Sequence, residues 1–174
     1  MEPVWRYYSD RPDEYEIHVL PVFWFDCDYE GNIGEKHDER EIFPDYVPVE
    51  ACESFDFVGT RPDIIVTQVP FDGFDTSFTL HEFFYSSNLL RFTDELIYVP
   101  CYDVDDPEVK GDKAENAIAT LVEQPAVINA DKVVLASDKQ RDIYLKKLIE
   151  LTGEDTRSYW EQKIVPVAIF CGFA

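Results

Sequence analysis

Polar side chains that could carry chemistry concentrate in one short segment, residues 70–81. The segment supplies carboxylates, hydroxyls and one imidazole, in the order Asp72, Asp75, Thr76, Ser77, Thr79 and His81. Carboxylates accept hydrogen bonds, hydroxyls donate and accept them, and an imidazole titrates near neutral pH. Such a set suits a hydroxyl-rich or phosphate-bearing ligand. Loops of this composition also form turns and cap helices, so a purely structural role stays open as the alternative.

The same segment contains three side chains of metal-ligating type, Asp72, Asp75 and His81. Their spacing follows no ligand rule, so the evidence for a metal is weak and we expect no metal site. The other two histidines, His18 and His37, have no sequence partner that would make either a base, and we expect both to be structural or exposed.

Motifs for cofactor binding and nucleophilic hydrolysis are missing from the sequence. The seven glycines form neither G-x-G-x-x-G nor G-x-x-x-x-G-K-[ST], and there is no G-x-S-x-G elbow. No cofactor is therefore expected. The cysteines form no C-x-x-C pair, which favours scattered reduced thiols over a zinc or redox site. They are Cys27, Cys52, Cys101 and Cys171.

Composition limits the partners. The 174 residues are 45% hydrophobic, which predicts one folded domain, and carry a formal net charge of −21. That charge repels nucleic-acid backbones and anionic membranes, so a basic partner or a neutral ligand remains. No apolar run reaches the roughly 18 residues of a membrane helix, and no signal-like start precedes one. We expect a cytoplasmic protein with no nucleic-acid partner and at most peripheral membrane contact.

The loop 70–81 must be positioned by the secondary-structure elements around it. Along the chain, strand-like segments alternate with helical patterns. Predicted strands span 16–25, 64–69, 96–100 and 132–136, and Pro21 assigns the first to an edge or a bulge. The last three lack alternation, which is typical of buried strands in a parallel sheet. Predicted helices cover 82–92, 114–122, a segment between the N-cap Ser137 and the C-cap Gly153, and a segment starting near Asp155.

This alternation predicts βαβ units. We expect an α/β fold with an open, mostly parallel, doubly wound Rossmann-like sheet, helices on both faces and one domain over 1–174. The segment 26–56 departs from the pattern, because it has eleven acidic and two basic residues and four Gly or Pro breakers. It is predicted to be an irregular acidic excursion with a short helix around 49–57. The loop 70–81 leaves the carboxyl end of the strand 64–69, where ligands bind in such sheets.

Eight segments together resemble one bacterial family. They are V-L-P-V-F-W-F-D (19–26), G-N-I-G-E-K-H (31–37), P-D-Y-V-P-V (44–49), R-P-D-I-I-V-T-Q-V-P-F-D (61–72), H-E-F-F-Y-S-S-N-L-L-R-F-T-D (81–94), I-Y-V-P (97–100), A-D-K-V-V-L-A-S (130–137) and T-G-E-D-T-R-S-Y-W-E-Q-K-I (152–164). They resemble the N-terminal region of CDP-glycerol glycerophosphotransferase-type proteins, which are two-lobed like GT-B glycosyltransferases. The similarity extends over about residues 4–164.

The resemblance implies a Rossmann-like, acceptor-side lobe of an enzyme that transfers a glycerol-phosphate unit to a cell-wall or capsular glycan. The implied partner is thus a glycan or polyol-phosphate acceptor. By position, Asp72, His81 and Tyr85 would line the cleft that faces the second lobe. His81 is the implied catalytic general base, while Asp72, Asp75 and Tyr85 are the implied substrate-binding residues.

The chain departs from the family pattern in three places. The family has a strand and a loop ahead of the helix to which Val4 would belong. An amide is expected at Asp75 and a proline at Glu82. After Ile164 the sequence continues as V-P-V-A-I-F-C-G-F-A. We therefore expect the nucleotide-binding lobe to be missing from these residues, and the lobe to be inactive without that donor lobe or a partner chain.

A different class of function is left open by the residues. The chain could be a stand-alone, non-catalytic binding module, in which the apolar run 164–174 pairs or packs with a partner.

Overall fold

The computed structural model describes residues 2–73, 77–100 and 124–172. Its helices are α1 (Glu2–Ser9), α2 (Phe57–Thr60), α3 (Ser86–Leu89), α4 (Pro125–Asn129), α5 (Asp138–Thr152), α6 (Arg157–Lys163) and α7 (Val167–Phe170). Its strands are β1 (Trp24–Cys27), β2 (Ile33–His37), β3 (Ile64–Thr67), β4 (Phe78–Leu80), β5 (Glu95–Tyr98), β6 (Lys132–Leu135) and β7 (Ile164–Pro166). The predicted helix 114–122 and the site residue Asp75 lie outside the described residues.

Four strands form an all-parallel sheet in the order β3-β5-β6-β7. The predicted strands 64–69, 96–100 and 132–136 are confirmed as its first three members. Their order along the sheet follows their order along the chain. A doubly wound sheet reverses its strand order at a switch point, and these four described strands contain no reversal.

Helices cover both faces of the parallel sheet, because successive residues of each strand point to opposite sides. One face packs against α4, α5 and α6 through Leu96, Tyr98, Val133, Leu135, Ala126, Leu148 and Trp160. The other face packs against α1 and α7 through Val4, Ile97, Val99, Val134, Val167 and Phe170. The predicted α/β class with helices on both faces is therefore confirmed.

The apolar run that starts at residue 164 is used within the fold. Ile164–Pro166 forms β7, which pairs with β6. Phe170 then packs on the tyrosine rings of α1, with ring centroids 5.6 Å from Tyr7 and 6.5 Å from Tyr8. Burial of this segment up to residue 172 therefore comes from the chain's own sheet and helix.

A second, antiparallel sheet has the order β2-β1-β4. The predicted strand 16–25 is largely wrong, because β1 begins only at Trp24 and the preceding segment makes a single bridge, Val19 to Val49. The segment 26–56 is also more regular than predicted. The hairpin from β1 to β2 turns around Asp28, whose carboxylate accepts the N–H groups of Glu30 and Asn32 at 2.9 Å.

Two predicted helices are corrected. No helix spans 49–57; a 3₁₀ turn at Cys52–Ser54 is followed by α2, whose N-cap Asp56 accepts the Gly59 N–H at 2.8 Å. The predicted helix 82–92 is split into a 3₁₀ turn (Glu82–Phe84) and α3. The split falls at Tyr85, where the backbone is extended with ψ at 143°. None of the described helices has the length and apolar character needed to cross a bilayer.

The boundaries predicted for α5 are confirmed. The Ser137 side chain accepts the Gln140 N–H at 3.2 Å, and Gly153 ends the helix with φ at +101°. Because α5 supplies Leu148 and Tyr144 to the core beside the parallel sheet, its N-cap also supports that packing.

We predict that Ser137→Ala lowers the free energy of unfolding by about 1 kcal/mol, because one N–H in the first turn of α5 loses its acceptor. Urea unfolding followed by circular dichroism measures the change. The matched control is Ser158→Ala at an exposed position inside α6, expected within about 0.5 kcal/mol of the wild type. Equal stability of both variants would contradict the assigned cap.

Candidate functional site

The loop 70–81 links the two sheets. It leaves β3 at the carboxyl end and returns as β4, which pairs with β1. Its first turn requires left-handed backbone at two adjacent positions, Asp72 with φ at +43° and Gly73 with φ at +82°. Residues 74–76 of this loop, including Asp75, lie outside the described part of the chain.

The Asp72 carboxylate caps α3. Its Oδ1 accepts the Ser86 N–H at 2.5 Å, and its Oδ2 accepts the Ser86 hydroxyl and the Ser87 N–H at 2.9 Å each. Asn129 completes this network, since its Nδ2 donates to the Ser86 hydroxyl at 2.9 Å and lies 3.4 Å from Asp72 Oδ2. Ser86 is 1% exposed. The carboxylate thus serves as a helix cap, the structural role that the sequence left open beside ligand binding.

Tyr85 closes the loop from the other side. Its hydroxyl lies 3.1 Å from the Thr79 hydroxyl on β4. A Cβ atom at Gly73 would lie only 2.7 Å from the same tyrosine oxygen. Glycine is therefore required at position 73 both by its positive φ and by the tyrosine ring packed against it.

His81 is exposed, whereas Asp72 and Tyr85 are half-buried. Its Nδ1 accepts the backbone N–H of Phe83 at 3.2 Å and so caps the 3₁₀ turn Glu82–Phe84. A neutral imidazole has one N–H and one lone pair, so a lone pair used at Nδ1 assigns the proton to Nε2. In this geometry Nε2 of the exposed residue is a hydrogen-bond donor, and a base role at Nε2 would require the cap to break.

The structure therefore brings together two of the predicted residues. Asp72 directly precedes Gly73 and bonds to Ser86, and Tyr85 packs on Gly73. His81 belongs to the adjoining turn and hydrogen-bonds to Phe83.

Sequence reasoning missed two members of the network, Ser86 and Asn129. Asn129 had no local signal, because it reaches Asp72 from 57 positions further along the chain. Ser86 gives no usable signal, because the predicted helix 82–92 places it in an interior turn and not at a helix start.

The other two histidines each pair with a carboxylate that sequence spacing did not indicate. His37 Nε2 lies 3.0 Å from Asp26 Oδ2, and its ring stacks on Trp24 with centroids 3.8 Å apart. His18 Nδ1 lies 2.7 Å from Glu50 Oε1. Both pairs join separate segments of the chain, which fits the expected structural role.

The described thiols are poor nucleophiles where they are buried. Desolvation by burial, with Glu53 beside it, raises the pKa of Cys52. Burial also raises the pKa of Cys171, whose Sγ lies 3.8 Å from the Pro3 carbonyl oxygen. A raised pKa lowers the thiolate fraction at neutral pH, so neither group is suited to attack an electrophile.

Within residues 2–73, 77–100 and 124–172, no group of three or more His, Cys, Asp or Glu side chains gathers in a metal-binding arrangement. A scan against protein-family models finds no match. Searches of curated proteins and of solved structures find no match either.

We predict that Asp72→Asn lowers the free energy of unfolding by about 1 to 3 kcal/mol, because an amide cannot accept all the donors that now converge on the carboxylate. Amide hydrogen exchange should accelerate at Ser86 and Ser87. Urea unfolding and exchange monitored by NMR give both readouts.

The matched control is Asp142→Asn at an exposed position of α5, where stability should stay within about 0.5 kcal/mol. Unchanged protection at Ser86 in the Asp72→Asn variant would show that the carboxylate does not hold this turn.

Proposed function

We propose that this chain is a Rossmann-like, acceptor-side lobe of a glycerophosphotransferase-like enzyme that works in the cytoplasm on a cell-wall or capsular glycan. The proposal is supported by the eight sequence segments described above and by a loop that leaves the carboxyl end of a parallel strand. The single observation that carries it is His81, whose exposed imidazole stands on a turn next to the internally braced Asp72 loop.

The proposed reaction joins an acceptor hydroxyl to the glycerol-linked phosphorus of CDP-glycerol. A P–O bond to the acceptor forms, the P–O bond to CMP breaks, and the hydroxyl proton leaves to solvent or to a base on the second lobe. The CDP-glycerol would be held by a nucleotide-binding lobe in another segment or a partner chain, since transfer needs both reactants in one geometry.

His81 has a defined role in this scheme. With Nδ1 engaged by the Phe83 N–H, its Nε2–H donates to an oxygen of the transferred phosphoryl group. A donor aimed at developing charge is worth about 10² to 10³ in rate. This role replaces the general base implied by the family resemblance. A base at Nε2 must be unprotonated there, so the ring proton would lie at Nδ1, opposite the Phe83 N–H.

The surface that would bind the acceptor is better suited to a neutral glycan than to a polyanion. The chain has a formal net charge of −21, which repels phosphate-rich polymers at long range. Asp72 adds local negative charge beside the loop, although its oxygens are occupied by internal donors. Hydroxyl groups of a neutral sugar carry no such penalty.

We predict that His81→Ala lowers CMP release from CDP-glycerol by a factor of about 100 when the chain is combined with the donor lobe of a glycerophosphotransferase. His81→Gln should keep most of the activity, because its amide N–H takes the place of Nε2–H. His37→Gln on β2 is the matched control and should behave as wild type.

Chromatographic measurement of CMP decides this prediction. Release that is lost equally in His81→Gln and His81→Ala, with a flattened pH profile, would assign the base role instead. No release from the wild type, with or without the donor lobe, would remove the transferase proposal.

A non-catalytic binding module is the second candidate, favoured by exposed apolar side chains within the acidic segment. Tyr29, Ile33 and Ile42 are exposed at 86%, 67% and 73% among closely spaced carboxylates. Because like-charged copies repel, such a surface suits a basic partner better than a second copy.

We predict that the purified chain is monomeric at every concentration in size-exclusion chromatography with light scattering, since mutual repulsion opposes pairing through this surface. The measurement is made at low salt, where this repulsion is least screened. A mass that rises with concentration would instead favour self-association through the exposed apolar groups.

A further inference from the structure

A cleft of about 300 Å³ lies between α1 and the acidic segment. It is lined by Trp5, Arg6, Ser9, Asp10 and Tyr46. None of these residues belongs to the loop 70–81, and the cleft has no part in the transfer scheme above.

The local structure of α1 explains how four of the lining residues share one side. At about 3.6 residues per turn, Val4 and Tyr8 fall on one stripe of the helix, which packs on the parallel sheet and on Phe170. Trp5, Ser9, Arg6 and Asp10 occupy the adjoining sector in that angular order. The Asp10 N–H donates to the Arg6 carbonyl at 3.0 Å, so the helical turn extends as far as Asp10.

Tyr46 reaches this sector from a segment anchored independently of α1. The Val47 N–H donates to the Pro44 carbonyl at 2.9 Å, which sets the turn that carries the tyrosine. The bridge between Val19 and Val49 and the Glu50 N–H bond to the Val19 carbonyl at 2.8 Å then fix the end of the segment. Two separately held walls therefore form the cleft.

The residues that line the cleft combine aromatic rings with hydrogen-bonding side chains. Trp5 and Tyr46 offer apolar ring faces, and aromatic rings make large contact areas with few rotatable bonds. Arg6 supplies several N–H donors in a planar fork, Asp10 supplies acceptors, and the Ser9 hydroxyl supplies both. Adjacent hydroxyls on a ring need such a mixture of donors and acceptors, while the C–H face of the ring needs an apolar surface.

Size and charge narrow the ligand class. About 300 Å³ is at the small end of ligand sites and fits one sugar-sized ring. Arg6 and Asp10 carry opposite formal charges, so the lining has no net formal charge. The net charge of −21 repels anions, and the Arg6 guanidinium opposes a cation held between the aromatic rings.

We propose that the cleft between α1 and Tyr46 is a binding site for a neutral, hydroxyl-rich ring, a single saccharide unit. The site needs no transferase activity and does not rest on the proposed function.

The test is an NMR titration of the full ¹⁵N-labelled chain with methyl glucoside and with N-acetylglucosamine, following the tryptophan indole signals. The Trp5 signal is identified from the spectrum of Trp5→Phe. The expected result is a saturable shift of that signal, with a dissociation constant on the order of 1 mM and no dependence on salt. Choline chloride and inorganic phosphate serve as the cationic and anionic comparison probes.

Substitutions on both walls test the location. Tyr46→Ala and Arg6→Gln should each weaken binding by at least about tenfold. Both change exposed side chains, and circular dichroism verifies folding. The matched control is Tyr29→Ala, an 86% exposed tyrosine at the hairpin turn and outside the cleft, which should bind as wild type.

Three results would overturn the inference. They are a Trp5 signal that does not shift with either sugar, a shift that persists unchanged in Tyr46→Ala, and saturation by choline or phosphate but not by the sugars. A sugar that perturbs His81 without perturbing Trp5 would overturn this inference while leaving the proposed function standing. A shift of the Trp5 signal in a chain that supports no CMP release would overturn the proposed function while leaving this inference standing.

Discussion

The loop between the two sheets depends on the hydrogen bonds that the Asp72 carboxylate accepts. This carboxylate takes the Ser86 hydroxyl and two backbone N–H groups at the start of α3, and Asn129 reaches it from α4. Three separate segments thus meet at one charged group. A carboxylate saturated by donors is stable at such a junction, whereas unpaired donors around the nearly buried Ser86 would be costly. The 3₁₀ turn that follows His81 leads through Tyr85 directly into this junction at Ser86.

The net charge of the protein disfavours anionic ligands and does not affect neutral ones. A net charge of −21 acts at long range and disfavours polyanions, and the neutral donors around Asp72 stabilise its negative charge without removing it. Neutral hydroxylated ligands meet neither obstacle. The sites proposed at the cleft beside Trp5 and at the surface near His81 are therefore matched to the same chemical class, although they are built from different segments.

Prediction from sequence succeeded where the signal was local. The strands at 64–69, 96–100 and 132–136 and the helix between Ser137 and Gly153 were correctly identified, because apolar runs and helix caps act over a few residues. Prediction failed for strands whose pairing partners are distant in the sequence. The strand predicted at 16–25 keeps only its last two residues within β1. The apolar run from residue 164, which the binding-module alternative pairs or packs with a partner, instead forms β7 beside β6, because a pairing partner is not visible in a local pattern.

By itself, the sequence determined the α/β class, the buried parallel strands and the polar loop that follows the first of them. Only the tertiary structure decided what the loop residues do. Asp72 is a cap because Ser86 and Asn129 come within hydrogen-bond distance of it, and Nδ1 of His81 is an acceptor because the Phe83 N–H donates to it. The physical reason is that residue type sets which bonds a side chain can make, while the positions of distant segments set which of them it does make.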